Sequence, residues 1–287
     1  MRYETPSTAK EAVALMAKEK GIAYILAGGT DLLVKMKAGM IEPDLVVDIK
    51  RVKGMNEIKK GASGFSIGAA VPCVAILENA AFVKAWPGVA DAANLIGSRQ
   101  VQGRCTMSGN LCNASPAADS APALVAAGAK VSISGPKGNR KLAVEDLAAG
   151  VGRNNLKKGE IITSIDLPKK DAKSGTAYLR FTPRTEMDIA VVSVGVNLTL
   201  DGKGVITKAR VALGAVATTV LLVKEAAKAI IGTKLDDVAK ANLAAACSAA
   251  CKPIDDKRGT VEFRIDVAGV LARRAAETAY ARAGGKQ

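Results

Sequence analysis

Histidine is absent from all 287 residues. That absence removes Ser–His and Cys–His nucleophilic chemistry, histidine general bases and histidine-ligated zinc or haem from this chain. Chemistry here must rest on another acid or base, a redox cofactor or another subunit. Aromatic residues are only 3% of the chain. The core must be Ala, Val, Leu and Ile, which suits helices packed on sheets, and binding of single-stranded nucleic acid by base stacking is disfavoured. No CxxC occurs among Cys73, Cys105, Cys112, Cys247 and Cys251. Neither the Cys105/Cys112 nor the Cys247/Cys251 spacing suits zinc or an iron–sulfur cluster, so these read as buried or semi-buried thiols. Their odd number, with no visible secretory leader, points to a reducing, cytoplasmic setting. No apolar run approaches the roughly 20 residues of a membrane span.

Hydrophobic residues make up 49% of the chain, enough for a sizeable core in two domains or one large elaborated domain. The net charge is +14. Its lysines and arginines are scattered, and no RNA-recognition, zinc-finger or basic-helix signature accompanies them. A solvated basic surface or an acidic partner subunit explains the charge better than nucleic acid does.

Thr8-x-x-Glu11 has the form of a capping box opening a helix that Gly21 ends. Ile22 to Leu26 reads as a buried strand, Leu32 to Ala38 as a helix and Leu45 to Ile49 as a strand, giving a small α/β unit over 1–53. A second α+β unit spans 54–172. It has strands at Phe65–Ala70, Lys130–Ser134 and Ile161–Leu167, a hairpin turn at Gly135–Asn139 and helices at 74–77, 80–84, 89–96 and 121–127. The polar run Asp171–Gly175 marks a boundary, after which 173–287 forms a C-terminal α+β domain. Strands Thr176–Thr182, Ala190–Leu200 and Val205–Leu213, with a hairpin at Asp201–Gly204, predict a three-stranded antiparallel sheet. It is backed by Ala-rich helices at Val220–Ile231, Leu235–Cys251 and Arg264–Arg282.

Two segments carry the functional signal. The first is the Gly-Gly turn Ala27-Gly28-Gly29-Thr30-Asp31, directly after a strand. The second is a polar, glycine-containing loop with Thr106, Ser108, Gly109, Asn110, Asn113, Ser115 and Asp119 within fourteen residues. Small residues let a ligand touch backbone N–H groups, and the hydroxyl, amide and carboxyl groups add directional hydrogen bonds. Neither loop has GxGxxG spacing or a Walker lysine, so Rossmann and P-loop readings are unsupported. Two such loops in one domain point to a large phosphate-containing cofactor.

Ala27–Asp31 and Ile96–Lys130 resemble the FAD-binding medium subunit of the molybdenum hydroxylases, the family of xanthine and carbon monoxide dehydrogenases. Ile67-Gly68-Ala69-Ala70-Val71 is similar to that family's strand before its second helix. Lys252-Pro253-Ile254-Asp255-Asp256-Lys257-Arg258-Gly259 with Glu262-Phe263-Arg264 is similar to its C-terminal signature. The resemblance covers almost the whole chain. It implies a two-lobed FAD-binding domain of the vanillyl-alcohol-oxidase-like type. It also implies a large molybdopterin partner subunit, a small partner with two 2Fe–2S clusters, assembly as a dimer of heterotrimers, and an external electron acceptor.

Carried over by motif, Ala27, Gly28, Gly29, Thr30 and Asp31 would wrap the FAD diphosphate. Thr106, Ser108, Gly109 and Asn110 would approach the phosphates and ribityl chain from the other side. Asn113, Ser115 and Asp119 would bond ribityl, ribose or nearby loop groups, and the backbone from Ile162 to Ile165 would meet the adenine. Arg180 falls where some members place a lysine near the flavin ring, and Ile189 lies in a loop, Arg184–Ala190, that would border that ring. No residue of this chain is assigned an acid–base role and none a metal. Two departures stand out. Ser108 replaces a usual glycine, and Met187 stands where xanthine dehydrogenases carry an acidic residue, which bears on NAD as the acceptor. The rival readings are a stand-alone flavin oxidoreductase of the same superfamily and a non-enzymatic scaffold that has lost FAD.

Overall fold

The computed structural model describes residues 1–286. Strands β1 (Arg2–Glu4), β2 (Ala23–Leu26) and β3 (Leu45–Asp48) form a parallel sheet in the order β1-β3-β2, with β3 buried in the middle. Helix α1 (Ala9–Lys18) joins β1 to β2 and begins with the expected capping box, Thr8 and Glu11 each bonding the other's backbone N–H. Helix α2 (Leu32–Lys37) follows β2 and buries none of its residues, so it rides on the surface beside the Gly-Gly turn.

A five-stranded antiparallel sheet comes next. Its members are β4 (Ile58–Gly61), β5 (Gly64–Gly68), β6 (Lys130–Gly135), β7 (Gly138–Ala143) and, past the small ribbon β8 (Ala148–Gly150) and β9 (Arg153–Asn154), β10 (Ile161–Pro168). The order β4-β5-β10-β6-β7 puts β10 in the middle, which fits its apolar run Ile161, Ile162, Ile165 and Leu167. Between β5 and β6 lie α3 (Cys73–Glu78), α4 (Ala80–Ala85), α5 (Pro87–Asn94), α6 (Arg99–Gln102), α7 (Met107–Cys112) and α8 (Ser120–Ala126). The polar segment expected to be a loop after Thr106 is therefore helical as α7. Thr106 caps it by accepting from the Gly109 N–H at 3.0 Å, and Met107 and Leu111 are buried beneath it.

The C-terminal sheet also departs from expectation. It has four strands, not three: β11 (Ser174–Phe181), β12 (Val192–Leu200), β13 (Ile206–Gly214) and β14 (Leu221–Leu222). The apolar run Val220 to Val223 has no capping residue. It pairs with β13 instead, and the helix expected from Val220 starts only at Lys224, as α9 (Lys224–Ile230). Helices α10 (Asp237–Ala250) and α11 (Val261–Arg282) cover the far face, where Ala272, Ala275, Ala276 and Ala279 are all buried.

Helix α8 packs on the opposite face of this sheet, and glycine permits the approach. A Cβ on Gly195 of β12 would lie 2.4 Å from the Pro122 carbonyl oxygen. Both ends of α8 are tied to the strands. Asp119 accepts from Tyr178 Oη at 2.8 Å and Arg180 Nη1 at 2.9 Å, and at the other end the Val125 carbonyl accepts from Arg210 Nε at 3.0 Å. Among the described residues, no helix is long and apolar enough to cross a membrane.

Candidate functional site

The two signalled segments meet. Gly28 lies so close to the second segment that a Cβ there would stand 2.1 Å from the Arg104 carbonyl oxygen and 2.9 Å from Cys105 Cα. Gly29 has φ +77°, the left-handed region that favours glycine. On the other side, Thr106 bridges to Pro72, and the Cys73 N–H donates to the Cys105 carbonyl at 2.8 Å, which anchors the start of α7 to the start of α3. Ser108 is buried, and its hydroxyl donates to the Ala69 carbonyl. The Ser108 side chain thus bonds the protein's own backbone.

The backbone N–H groups of Gly28, Gly29, Thr30 and Asp31, and of Met107 and Ser108, donate to no protein acceptor among the described residues. These donors are free to meet a ligand's acceptor oxygens.

Both segments line one cleft of about 710 Å³, within the range of small-molecule and cofactor sites. Its wall includes the Gly-Gly turn, Lys35, Thr106, Ser108, Gly109, Asn110 and Asn113, together with Tyr24, Leu156, Lys157, Lys158, Glu160 and Ile162. Two of its acids have basic partners: Glu19 bonds Arg2, and Glu160 pairs with Arg140 at 2.7 Å. Lys35, Lys157 and Lys158 have no carboxylate partner among the described residues. They leave the cleft locally positive, as a diphosphate requires.

Hydrogen bonds from Arg140 hold the Glu160 carboxyl down to about 2; burial opposes this, and the Lys157 N–H and the nearby positive charges reinforce it. The folded state therefore favours the ionised form. Its contribution to stability is complete above the ordinary value of 4.5 and disappears as pH falls toward 2. The expected result is that wild type is more stable than Glu160→Gln at pH 6, and that urea titrations of the two converge only as pH falls to about 2.

Of the residues singled out from sequence, Ala27, Gly28, Gly29, Thr30, Asp31, Thr106, Ser108, Gly109, Asn110, Asn113 and Ile162 line the cleft together. Within that set, the Asn110 carboxamide oxygen is already used, accepting from the Ser120 N–H and hydroxyl at 3.1 and 2.6 Å and so holding α7 to α8. The other five lie off the cleft wall. Ser115 accepts from the Ala117 N–H, and Asp119 and Arg180 are paired with each other behind α8. Ile165 is buried in the central sheet, and Ile189 is half exposed on the loop before β12. Burial raises the Asp119 carboxyl, while the Arg180 charge opposes that rise.

Sequence reasoning missed Tyr24, Lys35 and the Leu156–Glu160 stretch. Lys35 had a signal available: it follows Asp31 by four residues on a helix, so both side chains share one face. The Leu156–Glu160 stretch had none, because it reaches the cleft only through long-range pairing of β10.

Residues 1–170 match the FAD-binding domain model of molybdopterin dehydrogenases, and residues 177–279 match the CO dehydrogenase flavoprotein C-terminal domain. The chain belongs to the FAD-binding medium-subunit family of the molybdenum hydroxylases. It is 32% identical to the carbon monoxide dehydrogenase medium chain of Afipia carboxidovorans over 98% of its length and 97% of that chain's. It is also 32% identical to the glyceraldehyde dehydrogenase medium chain of Sulfolobus acidocaldarius, covering 87% of this chain and 88% of the other. A chain of a solved Cu,Mo-CO dehydrogenase superposes with a TM-score of 0.93 over 98% of both chains, again at 32% identity. The mixed α/β architecture is thus that of a carbon monoxide dehydrogenase medium chain, and the molecule is an FAD-binding oxidoreductase subunit of this family.

Proposed function

We propose that this chain is the electron-transfer flavoprotein of a three-part molybdenum hydroxylase. A large molybdopterin subunit would oxidise the substrate, and a small subunit with two 2Fe–2S clusters would deliver the electrons to this one. FAD, when bound here, supplies the redox chemistry that passes those electrons to an external acceptor. The observation that carries this reading is the meeting of two glycine-dependent segments, with unused N–H donors, along one positive cleft. The relatives' names as medium chains support the multisubunit context, and the proposal extends it to a dimer of heterotrimers in a cytoplasmic setting.

In this reading Gly28 to Asp31 and the start of α7 hold the diphosphate, with Ala27 and Thr106 shaping the two turns. Asn113 reaches the ribityl or ribose hydroxyls, and Ile162 with the half-buried Tyr24 and Leu156 contacts the adenine. Ser115 and Asp119 serve neighbouring loop groups, Ile165 supports the adenine end from within the sheet, and Arg180 and Ile189 border the flavin side through the Arg184–Ala190 loop. Residues 1–172 form the two-lobed FAD domain of the vanillyl-alcohol-oxidase-like type, and 173–287 the C-terminal α+β domain.

The partner relationship is tested by rapid mixing of the co-purified complex with its substrate without oxygen. Bleaching of the flavin band through the iron–sulfur absorbance, and none when the isolated chain is mixed with the same substrate, is the expected result. Equal bleaching in the isolated chain would instead support a stand-alone oxidoreductase.

A further inference from the structure

Lys35 occupies a position in the cleft that loop geometry alone does not explain. It lies in the last turn of α2, four residues after Asp31. Side chains on a helix lean toward its N-terminus, so the Lys35 stem runs back over the Gly-Gly turn. Its ammonium donates to Asn113 Oδ1 at 2.7 Å, and Asn113 Nδ2 in turn donates to Asp31 Oδ1 at 3.5 Å. Asn113 closes α7, so this chain of contacts straps the first segment to the second at the cleft wall. Lys35 is half-buried and has no carboxylate within ion-pair distance among the described residues. An ammonium has three donors, and the Asn113 bond uses one.

The other two cleft cations stand elsewhere. Lys157 and Lys158 are exposed and belong to the stretch that Gly159 seats against Ala17 and Pro136. Lys35 is thus the cleft-lining cation tied to both segments, to the first through α2 and Asp31 and to the second through Asn113, where two negative charges would otherwise meet the Asp31 carboxylate.

We propose that Lys35, oriented by Asn113, is a diphosphate-binding residue of this chain and completes the anion site that the two backbone segments begin. This rests on the FAD reading above. A cation there strengthens N–H···O contacts that are individually modest and offsets the repulsion between the ligand and Asp31.

The test is FAD titration of the full chain, freed of flavin, as wild type, Lys35→Met and Lys35→Arg at low and high salt. Lys35→Met should weaken FAD binding roughly 10- to 100-fold at low salt. That gap should narrow at high salt, because screening weakens a charge–charge contact at a half-exposed site. Lys35→Arg, which keeps the charge, should stay within about 5-fold of wild type. A purely structural lysine would produce neither the salt dependence nor the rescue. A Lys35→Met affinity within 3-fold of wild type, a gap unchanged by salt, or an arginine variant as weak as methionine would overturn the proposal while leaving the FAD reading intact. A wild-type chain that binds no FAD would overturn both.

Discussion

Gly28→Ala is expected to give a folded chain that has lost its flavin. The added Cβ would sit 2.1 Å from the Arg104 carbonyl oxygen, and a backbone atom cannot swing aside as the end of a side chain can. The first segment must therefore move away from the second. Overpacking of this kind costs about 1–3 kcal/mol of stability. The cofactor would suffer more, because several charge-assisted bonds to one diphosphate are misaligned together, each worth about 1.5–3 kcal/mol. Flavin content on purification should drop below about a tenth of wild type, with FAD affinity at least roughly 100-fold weaker. Gly61→Ala is the control. Its Cβ would meet nothing within 4 Å, and the position is exposed and off the cleft wall, so flavin content should stay within about 3-fold of wild type. Loss of flavin in both variants, or in neither, would contradict the packing argument.

Asp119→Ala is expected to be strongly destabilising although it lies outside the cleft. The carboxylate is buried and joins α8 to β11 through Tyr178 and Arg180, whose side chain is only 5% exposed. Truncation leaves a buried guanidinium and a buried phenol facing a void. Removing one partner of a buried ion pair costs about 3–5 kcal/mol, which corresponds to roughly 10 °C in melting temperature for a chain of this size. The loss should be similar whether the melt is run with or without added FAD, since the contact spans helix and sheet rather than helix and ligand. A melting temperature within about 2 °C of wild type would show that the clamp contributes little.

How far the sequence could be read depended on which forces were local. The β2 strand and the Gly-Gly turn were legible because an apolar run followed by two glycines leaves few alternatives. The capping box at Thr8 was legible for the same reason, since its partners are three residues apart. Helix α7 was not legible. Ser108, Gly109 and Asn110 are poor helix formers, and only the Thr106 cap and the burial of Met107 and Leu111 hold the turn, a tertiary effect. β14 is two residues long and exists because β13 offers an unpaired edge. The cleft's first wall was visible as motif, while Lys157 to Glu160 reach it from the far end of a long-range sheet and leave no local pattern. Asp119 was visible as a residue with a task, but its partners on β11, some sixty positions away, decide that task.

The most direct test of this account is the visible spectrum of the chain, purified alone and with co-expressed partner subunits, followed by release and identification of the flavin. The account predicts flavin bands near one per chain, released as FAD, in the complex at least. A folded chain without colour in both preparations would contradict it and favour a scaffold role for the same fold.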